Sequence, residues 1–308
     1  MKMRHDRPGH MVATVDWEAA TAPEELSGRA VGYRQATLVG RATGATHTEL
    51  SIGRLDPGGH VARHIHSFEE AFYVLDGAPV LELGERRLAL EAGDYALSPI
   101  GVAHGWSNPG TVEARWLSVS TPLRVGAEEQ RRDSYFVAEL ASPPEPLRPA
   151  FGDPQNRWVG HYRGTPPQAE ALAVSDPAHG RRPAGMDTAI LAYSGISVRM
   201  LVDRVFGAEL LTMFTVDYEP NGSAQVHDHP FEETYFFLDG EIEAVLDGIA
   251  YTVRAGDVVF APVGSTHGFF NTGSGRVRWI ETQAPQPPAR HSYRWVDVWK
   301  RYEQEGER

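Results

Sequence analysis

Cysteine is absent from the 308 residues, and lysine occurs only at Lys2 and Lys300. The first absence excludes disulfides, thiolate metal sites and cysteine nucleophiles. The second leaves imine chemistry only a lysine near a chain end, where burial is not expected. Acidic residues outnumber basic ones 41 to 29, for a formal charge of −12, so nucleic acid and anionic membrane are not expected partners. No run approaches the ~18 apolar residues of a membrane span. Met1 to His10 is basic and polar and lacks the apolar core of a signal peptide. The expectation is a cytoplasmic acidic protein whose chemistry falls to His, Glu, Asp, Ser, Tyr or a metal.

What is present is a repeat. His64-Ile65-His66-Ser67-Phe68-Glu69-Glu70 returns as His227-Asp228-His229-Pro230-Phe231-Glu232-Glu233, and 227 − 64 = 163. The same offset maps Leu38-Val39 onto Leu201-Val202, Leu75-Asp76-Gly77 onto Leu238-Asp239-Gly240, His104-Gly105 onto His267-Gly268, and Pro122 onto Pro285. One offset held from about 38 to 122 leaves no room for a net insertion between copies. Short β-prone runs such as Ala71–Leu75 and Thr234–Leu238, bounded by Asp-Gly pairs, predict an all-β sandwich or barrel in each copy.

Alternate residues of a strand share a face, so His64 and His66 point together, as do His227 and His229. Glu70 and Glu233 keep that parity if the strand resumes after the turn, and His104 and His267 occupy equivalent places on a later strand. Three His and one Glu per barrel suit a divalent transition metal, Mn or Fe first, with Zn, Ni or Cu as alternatives, at one or two per chain. Tyr235 and Phe237 share parity with Glu233, and Phe269 with His267, so they are candidates for a substrate pocket; Phe72 and Trp106 are their counterparts in the first copy. They could equally be filling the barrels. Glu69 and Glu232, at the strand bend, are candidates for proton transfer or for supporting the ligands. His60 shares parity with His64 and is a candidate further ligand or proton shuttle. Arg63 and Asp228 alternate to the outer face, where solvent is expected. His161, His179 and His291 lie outside the repeats and read as ordinary surface or connector residues.

These motifs resemble those of the cupins, specifically the two-barrel bicupins. The first cupin motif is matched by Gly58, His64, His66, Glu70 and Gly77, and again by Gly222, His227, His229, Glu233 and Gly240, with one residue fewer ahead of His227. The second is matched by Gly93, Pro99, Gly101, His104 and Asn108, and by Gly256, Pro262, Gly264, His267 and Asn271. The resemblance covers both repeats and implies a three-His, one-Glu metal centre inside each double-stranded β-helix (jelly-roll) barrel. The layout is also similar to that of ureidoglycine aminohydrolases, whose C-terminal ligand set ends in Gln where this sequence has His267. Gentisate-type dioxygenases generally lack the glutamate that Glu70 and Glu233 supply here, whereas oxalate decarboxylases and quercetin dioxygenases keep the full set in two barrels.

The expected organisation is an N-terminal segment (1–29), two tandem cupin barrels (30–123 and 188–287) joined by a proline-rich connector (124–187), and a tail (288–308). Phe136, Phe151, Trp158 and Tyr162 suggest that the connector packs on the barrels. Tyr293, Trp295, Trp299 and Tyr302 suggest a tail that straps a barrel or forms a short helix. Outward-facing Tyr73 and Phe236 suit packing between barrels or between subunits, which makes a homodimer an expectation. The expected activity is that of a metal-dependent Fe or Mn oxygenase acting on a small oxygenated metabolite, aromatic or not. A non-oxidative decarboxylase or aminohydrolase and a non-catalytic metabolite-binding module are the alternatives.

Overall fold

The computed structural model describes residues 9–124, 133–162 and 193–287 and the backbone of residues 294 and 295. His179, His291, Tyr293, Trp299 and Tyr302 lie outside the described residues. In chain order the strands begin with β1 (Met11–Thr14). The first repeat forms β2 (Ala30–Val39), β3 (Glu49–His66), β4 (Glu69–Asp76), β5 (Val80–Leu83), β6 (Arg86–Ala89), β7 (Asp94–Ser98), β8 (His104–Ser107) and β9 (Ala114–Thr121). The segment after it gives β10 (Ser134–Phe136) and β11 (Val159–His161). The second repeat forms β12 (Tyr193–Val202), β13 (Thr212–Asp228), β14 (Glu232–Asp239), β15 (Glu241–Leu246), β16 (Ile249–Arg254), β17 (Asp257–Ala261), β18 (His267–Phe270) and β19 (Val277–Ala284), followed by β20 (Arg294–Trp295).

Two curled antiparallel sheets of matching topology result. One runs β11-β7-β4-β9-β3-β8-β5-β6 and the other β1-β17-β14-β19-β13-β18-β15-β16, with β2 and β10 added on β3, and β12 and β20 on β13. These are the tandem all-β barrels that the repeat predicts. Their turns follow from local chemistry: Gly77 and Gly240 have φ of 79° and 80°. A Cβ there would also come within 2.7 Å of Ala114 Cα in the first barrel and 2.5 Å of the Arg276 carbonyl oxygen in the second, so only glycine fits.

The barrels exchange edge strands. β1 precedes the first repeat but pairs with β17 of the second, Val12 opposite Val259; β11 precedes the second repeat but pairs with β7 of the first, Val159 opposite Ala96. Since 96 + 163 = 259, the two strands dock at equivalent places. Part of the N-terminal segment thus belongs to the second barrel's sheet. Around the exchange the outer faces meet in one apolar core that draws Leu50, Ile52, Tyr73 and Leu117 from the first barrel and Met213, Phe236, Val258 and Ile280 from the second. Tyr73 and Phe236 are therefore buried between the barrels of a single chain and offer no face to a second copy. Phe136, Phe151 and Trp158 pack against the first barrel's interior core, and Tyr162 joins the core between the barrels. The backbone of β20 pairs with His227 and Asp228 of β13.

At one end of the first barrel, Glu113 accepts hydrogen bonds from Arg34, Arg54 and Arg115. Burial pushes its carboxyl up, but the bonds from Arg54 and Arg115 outweigh this and hold it below the usual range. A carboxyl depressed in the folded state stabilises at pH values above its unfolded value, near 4.3, and that stabilisation is lost as pH falls through the folded value. Glu113→Gln is expected to lower unfolding stability by about 1–2 kcal/mol at neutral pH. In urea titrations the gap between variant and wild type should close as the pH falls below 4.3; a gap independent of pH would contradict the assignment.

Candidate metal centres and the cavity of the second barrel

Three elements assemble each cluster: the end of the long strand (β3 or β13) carries the His pair, the start of the next (β4 or β14) the glutamate, and the start of β8 or β18 the last His. His64 stands opposite His104 and His227 opposite His267. One ring nitrogen from each of His64, His66 and His104 lies within 4.8 Å of the others, and the same holds for His227, His229 and His267. All six side chains are buried. Glu70 Oε2 lies 3.1 Å from His66 Nε2 and 3.6 Å from His104 Nε2; Glu233 Oε2 lies 2.9 Å from His229 Nε2 and 3.0 Å from His267 Nε2.

The outer nitrogens are held by the surrounding backbone and hydroxyls. Nδ1 of His64 and of His227 donates to the carbonyls of Ala62 and Gln225, both at 2.7 Å, and His229 and His267 donate to Phe231 and Ser265 at 2.9 and 3.0 Å. His66 Nδ1 bonds Ser134 Oγ at 2.7 Å, and His104 Nδ1 bonds Ser98 Oγ at 2.8 Å. A carbonyl can only accept, so Nδ1 of those four rings carries a proton and Nε2 is the nitrogen turned to the cluster. Burial first, then the neighbouring imidazoles, lowers His64 to about 3 and holds His227 well below its ordinary value. For Glu70 and Glu233 burial pushes upward, but the adjacent His66 and His104, and His229 and His267, outweigh it and hold both carboxyls well down. Converging imidazole lone pairs beside an ionised carboxylate are the donor set of a divalent transition metal. His267 Nε2, although close to Glu233, has no well-directed hydrogen bond, as a nitrogen meant for a metal would. The residues fit the group.

Several expectations change. β3 carries an irregularity between Val61 and His64, and the extra residue shifts the alternation. Val61 faces the interior core and His60 is exposed, away from the cluster. Asp228 is buried, not solvated. Arg63 does face outward, bonded to the carbonyls of Gly84 and Ala138. Glu69 and Glu232 face away from the metal clusters and clamp the barrels together. Glu232 accepts from the amides of Thr46, His47 and Thr48 and from the Thr46 hydroxyl, at 2.7–3.2 Å. Glu69 accepts from the amides of Glu209 and Leu210 at 2.7 and 2.9 Å. Because 46 + 163 = 209 and 69 + 163 = 232, the clamps are reciprocal. A third group, Glu91, Asp94 and His161, is already closed by Arg148, which pairs with both acids, and by the His161 bond to Asp94.

The barrel interiors differ. In the first, Tyr33, Trp116 and Trp106 stack in series, with ring centroids 5.7 and 4.5 Å apart. The Trp116 ring lies where a Gly53 Cβ would be, 2.6 Å from Cε2. Phe72 meets Trp106 edge-on at 5.0 Å and belongs with it to this filled core. In the second barrel the equivalents of Tyr33, Gln35, Ser51 and Gly53 are Ile196, Val198, Phe214 and Val216, and these line a small cavity that reaches His227, Glu233 and His267. Tyr235 and Phe269 line it as well; Phe237 is wholly buried behind them, outside the lining. Two polar lining residues were not anticipated from the sequence, Glu281 and Gln283. Gln283 donates to Glu233 Oε1 at 2.6 Å, the Tyr235 hydroxyl donates to Glu233 Oε2, and Trp279 Nε1 donates to Glu281 Oε2 at 2.9 Å. Burial, with the nearby charge of Glu233, pushes the Glu281 carboxyl well up. The first barrel has Ser118 and Ser120 at these places, and Ser118 donates to Glu70. The signal for Glu281 and Gln283 therefore lay where the copies differ, not where they agree.

Residues 51–120 and 214–282 both match the cupin domain. The chain belongs to the cupin family. Among curated relatives, the tetracenomycin polyketide synthase protein TcmJ of Streptomyces glaucescens is 30% identical over 132 residues, 41% of this chain and 89% of that protein. Protein SchB of Streptomyces halstedii is 33% identical over 93 residues, 30% of this chain and 67% of that protein. Among solved structures, the cupin pair superposes on salicylate 1,2-dioxygenase from Pseudoaminobacter salicylatoxidans in its adducts with gentisate. The TM-score is 0.66 at 14% identity, covering 92% of this chain and 83% of that one. It also superposes on the putative glyoxylate induced protein of Pseudomonas aeruginosa with a TM-score of 0.60 at 16% identity, covering 92% and 91%. At such identities the shared property is the bicupin fold.

Proposed function

We propose that this bicupin is a metal-dependent enzyme, dioxygenase-like, acting in its second barrel on a small, flat, oxygenated aromatic metabolite. The observation that carries the reading is the cavity whose aromatic and aliphatic walls open directly onto His227, Glu233 and His267. His227, His229, Glu233 and His267 would hold the cation. When bound there, Fe or Mn supplies Lewis acidity, a redox centre and open coordination positions. The protein's own contributions are separable. The walls exclude water and orient a planar ring, and Gln283 and Tyr235 hold the Glu233 carboxylate in one rotamer. In the first barrel the stacked Tyr33, Trp116 and Trp106 occupy much of the interior, which suits a supporting role.

A second reading, a redox-neutral step on a polyketide intermediate with the metal as Lewis acid, is favoured by the relatives named as polyketide synthase proteins. Metal-loaded protein offered a panel of hydroxylated one- to three-ring arenes in air and under argon separates the two. The oxygenase reading expects oxygen consumption matched to substrate loss and none under argon. Equal turnover in both atmospheres overturns it in favour of the second reading. Tight binding that survives chelation, with no turnover, points to a non-catalytic module.

A further inference from the structure

We propose that Glu281 is the specificity-determining residue of the second barrel, accepting a hydrogen bond from a hydroxyl on a neutral hydroxyarene, in a cavity whose lining offers an aromatic carboxylate no cationic side chain. This rests on the reading of the cavity as an aromatic site. Glu281 lies mid-strand on β19, opposite Tyr235 on one side and Phe214 on the other. Its side chain is 9% exposed. The walls beside it are Val216, Phe214 and Phe269.

A carboxyl buried against such walls lowers stability unless its acceptors are used. Trp279 Nε1 uses one position on Oε2, out of roughly four lone-pair sites on a carboxylate. The repeat shows that the fold does not need this carboxyl, because Ser118 fills the equivalent place in the first barrel and donates to Glu70. Exchanging that hydroxyl for a carboxyl replaces a donor with an acceptor and extends it into the cavity. The other acceptor of the lining, Glu233, is already engaged by Gln283 and Tyr235. A ligand hydroxyl entering the cavity therefore finds its acceptor in Glu281. Charge sets the second half of the preference: the described lining residues include two carboxyls, Glu233 and Glu281, and no Lys or Arg. A ligand carboxylate entering there loses its hydration with no cationic side chain of the lining to replace it.

The test uses metal-loaded full-length protein and three probes of one shape: 1-naphthol, its methyl ether and 1-naphthoate. Binding is read by calorimetry and by fluorescence, since Trp279 touches the residue in question. Wild type is expected to bind naphthol about tenfold tighter than either the ether or the naphthoate, the upper range of one hydrogen bond. Glu281→Ser, which restores the first barrel's residue, should bring naphthol and ether within about threefold of each other. Glu281→Leu, which keeps the bulk but removes the acceptor, should do the same and serves if the Ser variant does not fold. Preferences unchanged in both variants overturn the proposal, as does equal wild-type affinity for all three probes, which leaves the aromatic cavity standing. Wild type that binds none of them overturns the aromatic reading itself and this inference with it.

Discussion

His64→Ala combined with His227→Ala will strip the bound metal from both barrels. Untagged wild type is expected to carry on the order of one to two ions per chain, with the affinity of a site whose ligands are preassembled. Removing an outer residue that merely orients a ligand already costs about 10–100-fold in affinity. His64 and His227 are closer in than that, each locked by its own carbonyl and facing the third imidazole of its cluster, His104 or His267, at ring-centroid distances of 4.4 and 4.5 Å, so their loss should exceed this range. Elemental analysis after gel filtration reads the result directly, and the single variants assign each ion to its barrel. A second readout is thermal. An ion present at 100 times its Kd stabilises the folded state by about 2.7 kcal/mol, so a chelator should lower the wild-type melting temperature and leave the double variant's unmoved. Metal content unchanged in the double variant would show that these nitrogens are not ligands.

What could be read beforehand and what could not separate along a physical line. The offset of 163 is a property of sequence spacing, and strand alternation carries it into space, so the two barrels and the convergence of His64, His66 and His104 follow from the chain alone. Three features broke that logic. The irregularity before His64 inserts a residue between Val61 and the ligand pair, so parity counted back to His60 gave the wrong face. β1 is four residues long and lies off the repeat offset, since Val159 − Val12 is 147; nothing local in such a strand says that it will pair with β17 some 245 residues later. Glu69 and Glu232 stand beside ligands and repeat in register, which reads as chemistry. Their partners, the amides of Glu209–Leu210 and Thr46–Thr48, come from the other barrel and are visible only once the barrels are docked. Repetition marked these glutamates as needed twice; geometry decides what for. Glu281 is the opposite case, a residue present in one copy only, whose significance lies in its difference from Ser118.

The clamp reading makes the largest stability prediction. Glu232 is 1% exposed and satisfies three amides and a hydroxyl in the Thr46–Thr48 turn. Glu232→Ala leaves those donors facing an apolar interface, and each unsatisfied buried donor costs about 1–3 kcal/mol. Water entering the vacated volume recovers part of that, so a total loss of about 3–5 kcal/mol is expected, at the high end for a single substitution. Glu232→Gln keeps one acceptor oxygen and should lose about half as much. Glu69→Ala, with the amides of Glu209 and Leu210 released, should behave like Glu232→Ala. The clamps join two barrels that each have their own interior core, so the double variant should also lose cooperativity, and its denaturant transition should split into two steps. Metal content and arene binding should stay within about twofold of wild type, because neither carboxylate faces a ligand cluster. The reverse pattern, turnover abolished with the denaturation midpoint unmoved, would return both glutamates to the proton-transfer role that the sequence suggested and would leave the docking of the barrels to the apolar core and the exchanged strands.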